Sequence, residues 1–181
     1  MSLLAKFNAA EQLRSGLAGA GQDPTGVVFD AIRSATEGVV EGRETILAGT
    51  NNYLGLTFDP ECVAAGIEAL ETQGTGTTGS RMANGSYAGH LALEAELADF
   101  FECPGALVFS TGYGANLGTL AALLEPGDAV LLDADAHASL YDGCRMSGAD
   151  VFRFKHNDVS SLERRLKRLG ERASRCLIVV E

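Results

Sequence analysis

The spacing of hydrophobic positions becomes regular from residue 88 onward. Leu91, Glu94, Leu97 and Phe101 recur at helical intervals across residues 88–101. "GALVF" (105–109), "AVLLD" (129–133), "DVFRF" (150–154) and "CLIVV" (176–180) are short apolar runs that predict four buried strands. Between them, Leu117, Leu120 and Leu124 predict one helix and residues 137–146 a second. A third carries Val159, Leu162, Leu166 and Leu169 on one stripe, opens on the cap-type residues "HND" and stops at Gly170. Strands alternating with amphipathic helices imply right-handed βαβ units and a mostly parallel α/β sheet. Ligands of such sheets collect at the carboxyl ends of the strands, which directs attention to residues 110–114, 133–137 and whatever follows Val180. Only Glu181 follows, where the next ligand-bearing loop is due, so the expectation is a piece of a longer protein.

The first half is less regular. Residues 1–35 read as a semi-polar helical arm. "GVVEGRETILAGT" (38–50) alternates around Glu41-Gly42, which predicts a short hairpin. Val63, Ile67 and Leu70 share one face of a helix expected between Pro60 and Gln73. "GTGTTGSRMANGSYAGH" (74–90) is too rich in Gly, Ser and Thr for regular structure, and long irregular segments of this kind tend to be functional. The division expected is residues 1–50 as arm and hairpin, and 51–181 as the first part of a larger ligand-binding domain.

Composition narrows the function classes. The formal net charge is −10, which argues against a nucleic-acid or anionic-membrane surface, although a local anion site built from backbone N–H groups stays compatible with it. Cys62, Cys103, Cys144 and Cys176 lie far apart and form no CxxC pair. That spacing predicts no metal site and buried free thiols in a cytoplasmic protein. The N-terminal segment is broken by charge and lacks the apolar core of a signal peptide or a transmembrane span.

The candidate chemistry centres on "VFSTGYGANLG" (108–118), an apolar run ending in a glycine-rich turn that opens a helix. Gly112, Gly114 and Gly118 make G-x-G-x-x-x-G, a variant of the dinucleotide fingerprint, and Asp133 ends the next strand where a ribose-binding acid would fall. A tight strand–helix turn with no ligand is the less favoured reading of the same glycines. Tyr113 within the turn disfavours a pyrophosphate, whose close approach wants small residues. His137 lies four residues beyond Asp133, beside the glycine turn if the two strands are neighbours. An imidazole and a phenol next to a phosphate cradle suit a flat phosphorylated cofactor such as pyridoxal 5′-phosphate.

"TNNYLGLTFDP", "GTGTTGSRMANGSYAGHLALE", "VFSTGYGANLG", "DADAHASLYDG" and "FKHND" resemble, in order and spacing, motifs of the α-oxoamine synthases. These are fold-type I pyridoxal-phosphate enzymes that join an amino acid to an acyl-CoA with loss of carbon dioxide. "GSRMANG" with "DADAHASLYDGC" is most similar to the bacterial members that use L-serine and palmitoyl-CoA, ahead of those forming 8-amino-7-oxononanoate, 5-aminolevulinate or 2-amino-3-oxobutyrate. The resemblance implies a three-layer α/β fold and a homodimer with active sites between subunits. It implies that Gly112 and Tyr113 hold the cofactor phosphate and that His137 stacks on the pyridine ring and orients the amino acid. It places Asn52 near the amino-acid substrate and Thr78 in the active-site wall near the subunit boundary. Asn51 departs from relatives that carry an aromatic residue there. None of Lys6, Lys155 and Lys167 sits in a motif matching the family's Schiff-base lysine, so turnover is not expected from residues 1–181 alone.

Other polar residues read as structural. His90 is expected to cap its helix or lie at the surface, and His156 to shape the turn before Asp158. Asp133 and Asp135 suit hydrogen bonding better than acid–base work. Arg81 fits either an anionic group such as coenzyme A or a salt bridge. Two rival functions remain open from sequence: a dinucleotide-dependent oxidoreductase resting on the glycines, and a lysine-less scaffold subunit.

Overall fold

Local capping chemistry sets most helix boundaries in the computed structural model, which describes residues 3–21 and 26–181. The chain divides into two compact units, residues 1–77 and 78–181.

In the N-terminal unit, a 3₁₀ turn leads into α1 (Asn8–Gly19). Three strands follow, β1 (Phe29–Ile32), β2 (Glu37–Val40) and β3 (Arg43–Ile46), paired antiparallel in the order β1-β2-β3. The predicted hairpin is present. Glu41 (φ 50°) and Gly42 (φ 73°) both take left-handed backbone, as a two-residue turn matched to strand twist requires, and Asp30 Oδ2 accepts from the Gly42 N–H at 2.8 Å. β1 corrects the reading of residues 1–35 as helical throughout. Its residues, "FDAI", pair with β2 across a register irregularity between Phe29 and Ala31, a long-range pairing that local periodicity does not report. α2 (Pro60–Gln73) has the expected limits: Asp59 Oδ1 accepts from the Glu61 and Cys62 N–H groups at 3.0 Å, Pro60 opens the first turn, and Gly74 (φ 81°) closes the helix.

The C-terminal unit contains α3 (Ala88–Phe100), α4 (Gly112–Leu123), β4 (Ala129–Asp133), α5 (Ala138–Ser147), β5 (Asp150–Phe154), α6 (Val159–Leu169) and β6 (Cys176–Val179). Its sheet is parallel, in the order β5-β4-β6. Central β4 is buried along its whole length. Val130 and Leu132 pack with Leu120 of α4, Leu124 just after it and Cys144 of α5, while α6 packs against β4 and β5. Burial of Val130, Leu131 and Leu132, each 0% exposed, contributes about 1.5–3 kcal/mol per side chain. α4 and α5 approach closely at Gly143, where a Cβ would lie 3.0 Å from Leu120 Cβ and 3.1 Å from the Asn116 carbonyl oxygen.

Residues 105–109 do not form the predicted strand. Among the described residues no strand pairs with them, and at Val108 side chains take up the backbone groups instead: Glu94 Oε1 accepts from the Val108 N–H at 2.9 Å, and Arg81 donates to the Val108 carbonyl at 3.4 Å. The parallel sheet of the described residues thus has three strands, one fewer than expected. Two of the four thiols also differ from expectation. Cys144 is buried and Cys176 half-buried, but Cys62, in the solvent-facing first turn of α2, and Cys103, in the turn after α3, are exposed.

Candidate active site

The glycine-rich turn becomes a helix N-terminus. Thr111 is the N-cap of α4, its Oγ1 accepting from the Gly114 N–H at 2.9 Å. The first N–H groups of a helix have no acceptor within it, and the helix dipole adds a partial positive charge there. A Cβ at Gly112 would meet nothing within 4 Å, so an anion can approach these donors from open space. Gly118 serves packing instead: a Cβ there would come within 3.0 Å of the Phe109 ring.

His137 is the N-cap of α5, and the edge relation between its ring and that of Tyr113 joins α5 to the α4 turn; the centroids are 6.5 Å apart at 80°. The Tyr113 hydroxyl donates to Asp142 Oδ2, and this hydrogen bond, with burial adding to it, pushes the phenol's pKa above its ordinary value. The backbone N–H of His137 donates to the Glu181 carboxylate at the end of β6. Ser139, fully buried, donates its N–H to His137 Nδ1 at 3.2 Å and places its Oγ 2.7 Å from the same nitrogen. Asn116 of α4 donates to Ser139 Oγ at 2.9 Å. Tyr141 anchors the β4–α5 loop by donating to the Ala134 carbonyl at 2.9 Å.

A second group lies at the ends of β4 and β5. Asp133, 3% exposed, accepts from the Asp135 N–H at 2.9 Å and from His156 Nδ1 at 2.9 Å. Asn157 donates to His156 Nε2 at 2.9 Å, which leaves Nδ1 as the nitrogen that donates to Asp133. The Asp135 N–H, then the hydrogen bond from His156, lower the Asp133 pKa. His156 does lie in the turn before α6, closed by the Asp158 N–H to the Lys155 carbonyl at 3.1 Å. Its bond to Asp133 adds a role that the sequence did not show and supports hydrogen bonding for Asp133. A hollow of about 200 Å³ here is lined by Asp133, Asp158 and Glu181 among others, a set of carboxylates unsuited to a phosphate. Of the two places, the N-terminus of α4 is the one that offers N–H donors to an anion.

The remaining predicted residues are placed as follows. Gly112, Tyr113 and His137 come together. Asn52 lies in the N-terminal unit, where its amide donates to the Ala35 carbonyl at 3.1 Å and to Thr57 Oγ1 at 2.8 Å, beside a hollow of about 420 Å³. Thr78 is exposed at the start of the C-terminal unit. Arg81 makes a bidentate salt bridge with Glu94 at 2.9 and 3.0 Å and donates to Ser86 Oγ at 2.9 Å, which ties the irregular loop to α3. In that loop Gly85 has no room for a side chain, since a Cβ would fall 1.8 Å from the Gly79 carbonyl oxygen. His90 caps α3, its Nδ1 accepting from the Tyr87 N–H at 3.0 Å. Among the described residues no cluster of His, Cys, Asp or Glu is arranged to hold a metal, and no helix is long and apolar enough to cross a membrane. The sequence reading missed Asn116, Ser139, Asp142 and Glu181. Only Ser139, two residues after a helix-capping histidine, carried a local signal.

The parallel α/β unit, with Tyr113 and His137 at the N-termini of α4 and α5, has the fold of the fold-type I pyridoxal-phosphate enzymes. Residues 43–181 match the family model "Aminotransferase class I and II", and the chain belongs to that family. It is 54% identical over 181 residues to a serine palmitoyltransferase of Caulobacter vibrioides, covering 100% of this chain and 45% of the relative. It is 46% identical over 143 residues to an 8-amino-7-oxononanoate synthase of Geobacter sulfurreducens, covering 79% of this chain and 36% of the relative. Among solved structures, a Sphingomonas wittichii serine palmitoyltransferase superposes with a TM-score of 0.91 at 49% identity, over 98% of this chain and 45% of that one. A variant serine palmitoyltransferase from S. paucimobilis, solved with a bound PLP–myriocin aldimine, gives 0.89 at 50% identity, over 93% and 43%. The chain thus spans less than half the length of these relatives.

Proposed function

We propose that the protein is a pyridoxal-phosphate-dependent acyltransferase of the α-oxoamine synthase type. It condenses L-serine with a long-chain acyl-CoA, palmitoyl-CoA in the simplest case, to a 3-keto sphingoid base, the first step of sphingolipid biosynthesis. A carbon–carbon bond forms between the serine Cα and the acyl carbonyl carbon, the thioester bond breaks to release coenzyme A, and the serine carboxylate leaves as carbon dioxide. The observation that carries this reading is the meeting of Tyr113 and His137 at the open N-terminus of α4. The 49–54% identity to proteins named serine palmitoyltransferase supports the choice of substrates.

The residues present fit the cofactor: an uncovered helix N-terminus offers amide donors, and two rings stand beside it. Pyridoxal phosphate, when bound, supplies an electron sink that allows the amino acid's Cα proton to leave. In this reading the Gly112 and Tyr113 N–H groups bind its phosphate. His137 covers the ring and orients the amino acid, and Asn52 and Thr78 line the substrate space. The covalent lysine is assigned to none of Lys6, Lys155 and Lys167. A cytoplasmic homodimer with its active site at the subunit boundary belongs to the same proposal.

The test is to titrate the intact protein with pyridoxal phosphate and follow coenzyme A release from palmitoyl-CoA with serine, glycine or alanine. Release with serine alone supports the reading. Preference for alanine with a shorter acyl thioester favours the 8-amino-7-oxononanoate branch, to which the chain is 46% identical over 143 residues. Cofactor-free protein with no turnover favours a scaffold subunit.

A further inference from the structure

His137 has more hydrogen bonds at Nδ1 than capping its helix requires. A backbone amide can only donate, so the Ser139 N–H at 3.2 Å makes Nδ1 an acceptor. Ser139 Oγ, 2.7 Å from the same nitrogen, must then present its hydrogen to it. Asn116 donates to a lone pair of Ser139 Oγ at 2.9 Å, so the hydroxyl hydrogen stays available for the imidazole. The relay runs in one direction, from the Asn116 amide to the Ser139 oxygen, and from the Ser139 hydrogen to the imidazole. Its middle member has 0% exposure, so water does not compete there.

We propose that Ser139 and Asn116 are positioning residues that hold His137 in its Nε2–H form, so that the exposed imidazole offers a hydrogen-bond donor and no basic nitrogen at its outer edge. Such a donor suits an anionic oxygen, as on an amino-acid carboxylate, and excludes His137 from abstracting a proton through Nε2. His156 provides the contrast within the same unit. Its Nε2 accepts from Asn157 and its Nδ1 donates to Asp133, so the two histidines are held in opposite forms. The value of the donor to substrate rests on the proposed cofactor site, whereas the form of the ring does not.

The experiment is ¹⁵N NMR of the intact protein labelled in histidine, in the absence of cofactor and at alkaline pH, with the His137 signal assigned by its loss in His137→Asn. The wild-type protein is expected to show a pyridine-like Nδ1 and a pyrrole-like Nε2, with the Nε2–H form in roughly tenfold excess. Asn116→Leu removes the donor that fixes the direction of the Ser139 hydroxyl and lowers that excess about twofold, less than Asn116→Asp or Ser139→Ala. Asn116→Asp places an acceptor on Ser139 Oγ, draws its hydrogen away from the ring and lowers the excess several-fold, and Ser139→Ala lowers it as well. A wild-type Nδ1–H form, or identical spectra from Asn116→Asp and Asn116→Leu, overturns the proposal. Absorbance titration of the same samples with pyridoxal phosphate reports separately on the cofactor reading.

Discussion

The rings of Tyr113 and His137 meet edge to face across two helix N-termini, with centroids 6.5 Å apart and planes at 80°. On the proposed function, this pair is what suits the α4 turn to a flat ligand. If His137 covers such a ligand, His137→Ala should weaken pyridoxal phosphate binding by roughly 3–10-fold, the range expected for one aromatic contact. His137→Phe should recover most of the affinity but leave the KM for the amino acid raised, because the face returns without the donor. Fluorescence titration and initial-rate kinetics separate the two effects.

Gly143 is where α4 and α5 touch. An Ala there would put its Cβ 3.0 Å from Leu120 Cβ and 3.1 Å from the Asn116 backbone oxygen, neither of which can swing aside. The gain in helix propensity, about 1 kcal/mol, is outweighed by overpacking of about 1–3 kcal/mol. Gly143→Ala should therefore lower the urea midpoint modestly and, by spreading the helices, lengthen the Asn116–Ser139 hydrogen bond.

Glu41 adopts φ 50° in the β2–β3 turn, a region costly for most L-residues but accepted by Asn. Its ion pair with Arg43, at 3.4 Å, is solvent-exposed at both ends and contributes little. Glu41→Asn should raise stability by about 0.5–1 kcal/mol, seen as a higher thermal midpoint with unchanged ligand binding.

Asp133 has its pKa lowered by the Asp135 N–H and by His156. A carboxyl group with a depressed folded-state pKa contributes stability that is fully present above its unfolded value, about 3.9, and is lost as pH falls through the lower folded value. Urea unfolding of wild type and Asp133→Asn should differ at neutral pH, and the difference should shrink on acidification below about pH 4. A gap that stays constant between pH 7 and pH 3 would contradict the assignment.

What was legible in the sequence was local. Asp59 and Pro60 announced α2, Asp158 and Gly170 bracketed α6, and Glu41-Gly42 marked the hairpin, because caps and turns act within a few residues. The α4 turn was legible from its glycines and the N-cap position of His137 from its place just past β4, although residues 105–109 before the α4 turn form no strand. Residues 105–109 were misread because strand formation depends on a hydrogen-bonding neighbour, which their apolar composition does not supply. The Asp133–His156 pair and the Asn116–Ser139 contact each join residues 23 positions apart, beyond the reach of any periodicity. Arg81 had two possible partners on paper, and only the fold places Glu94 within 2.9 Å of it.

The strand order β5-β4-β6 has a consequence for synthesis. β4 is the first of the three to leave the ribosome and the one that needs both neighbours. It can pair with β5 early, across the short α5 crossover, but its other edge stays open until Cys176–Val179 is made. Throughout that interval Val130, Leu131 and Leu132 form an apolar strand with unpaired amides on one side. The nascent protein is then most exposed to wrong partners at the strand that the finished protein buries most completely.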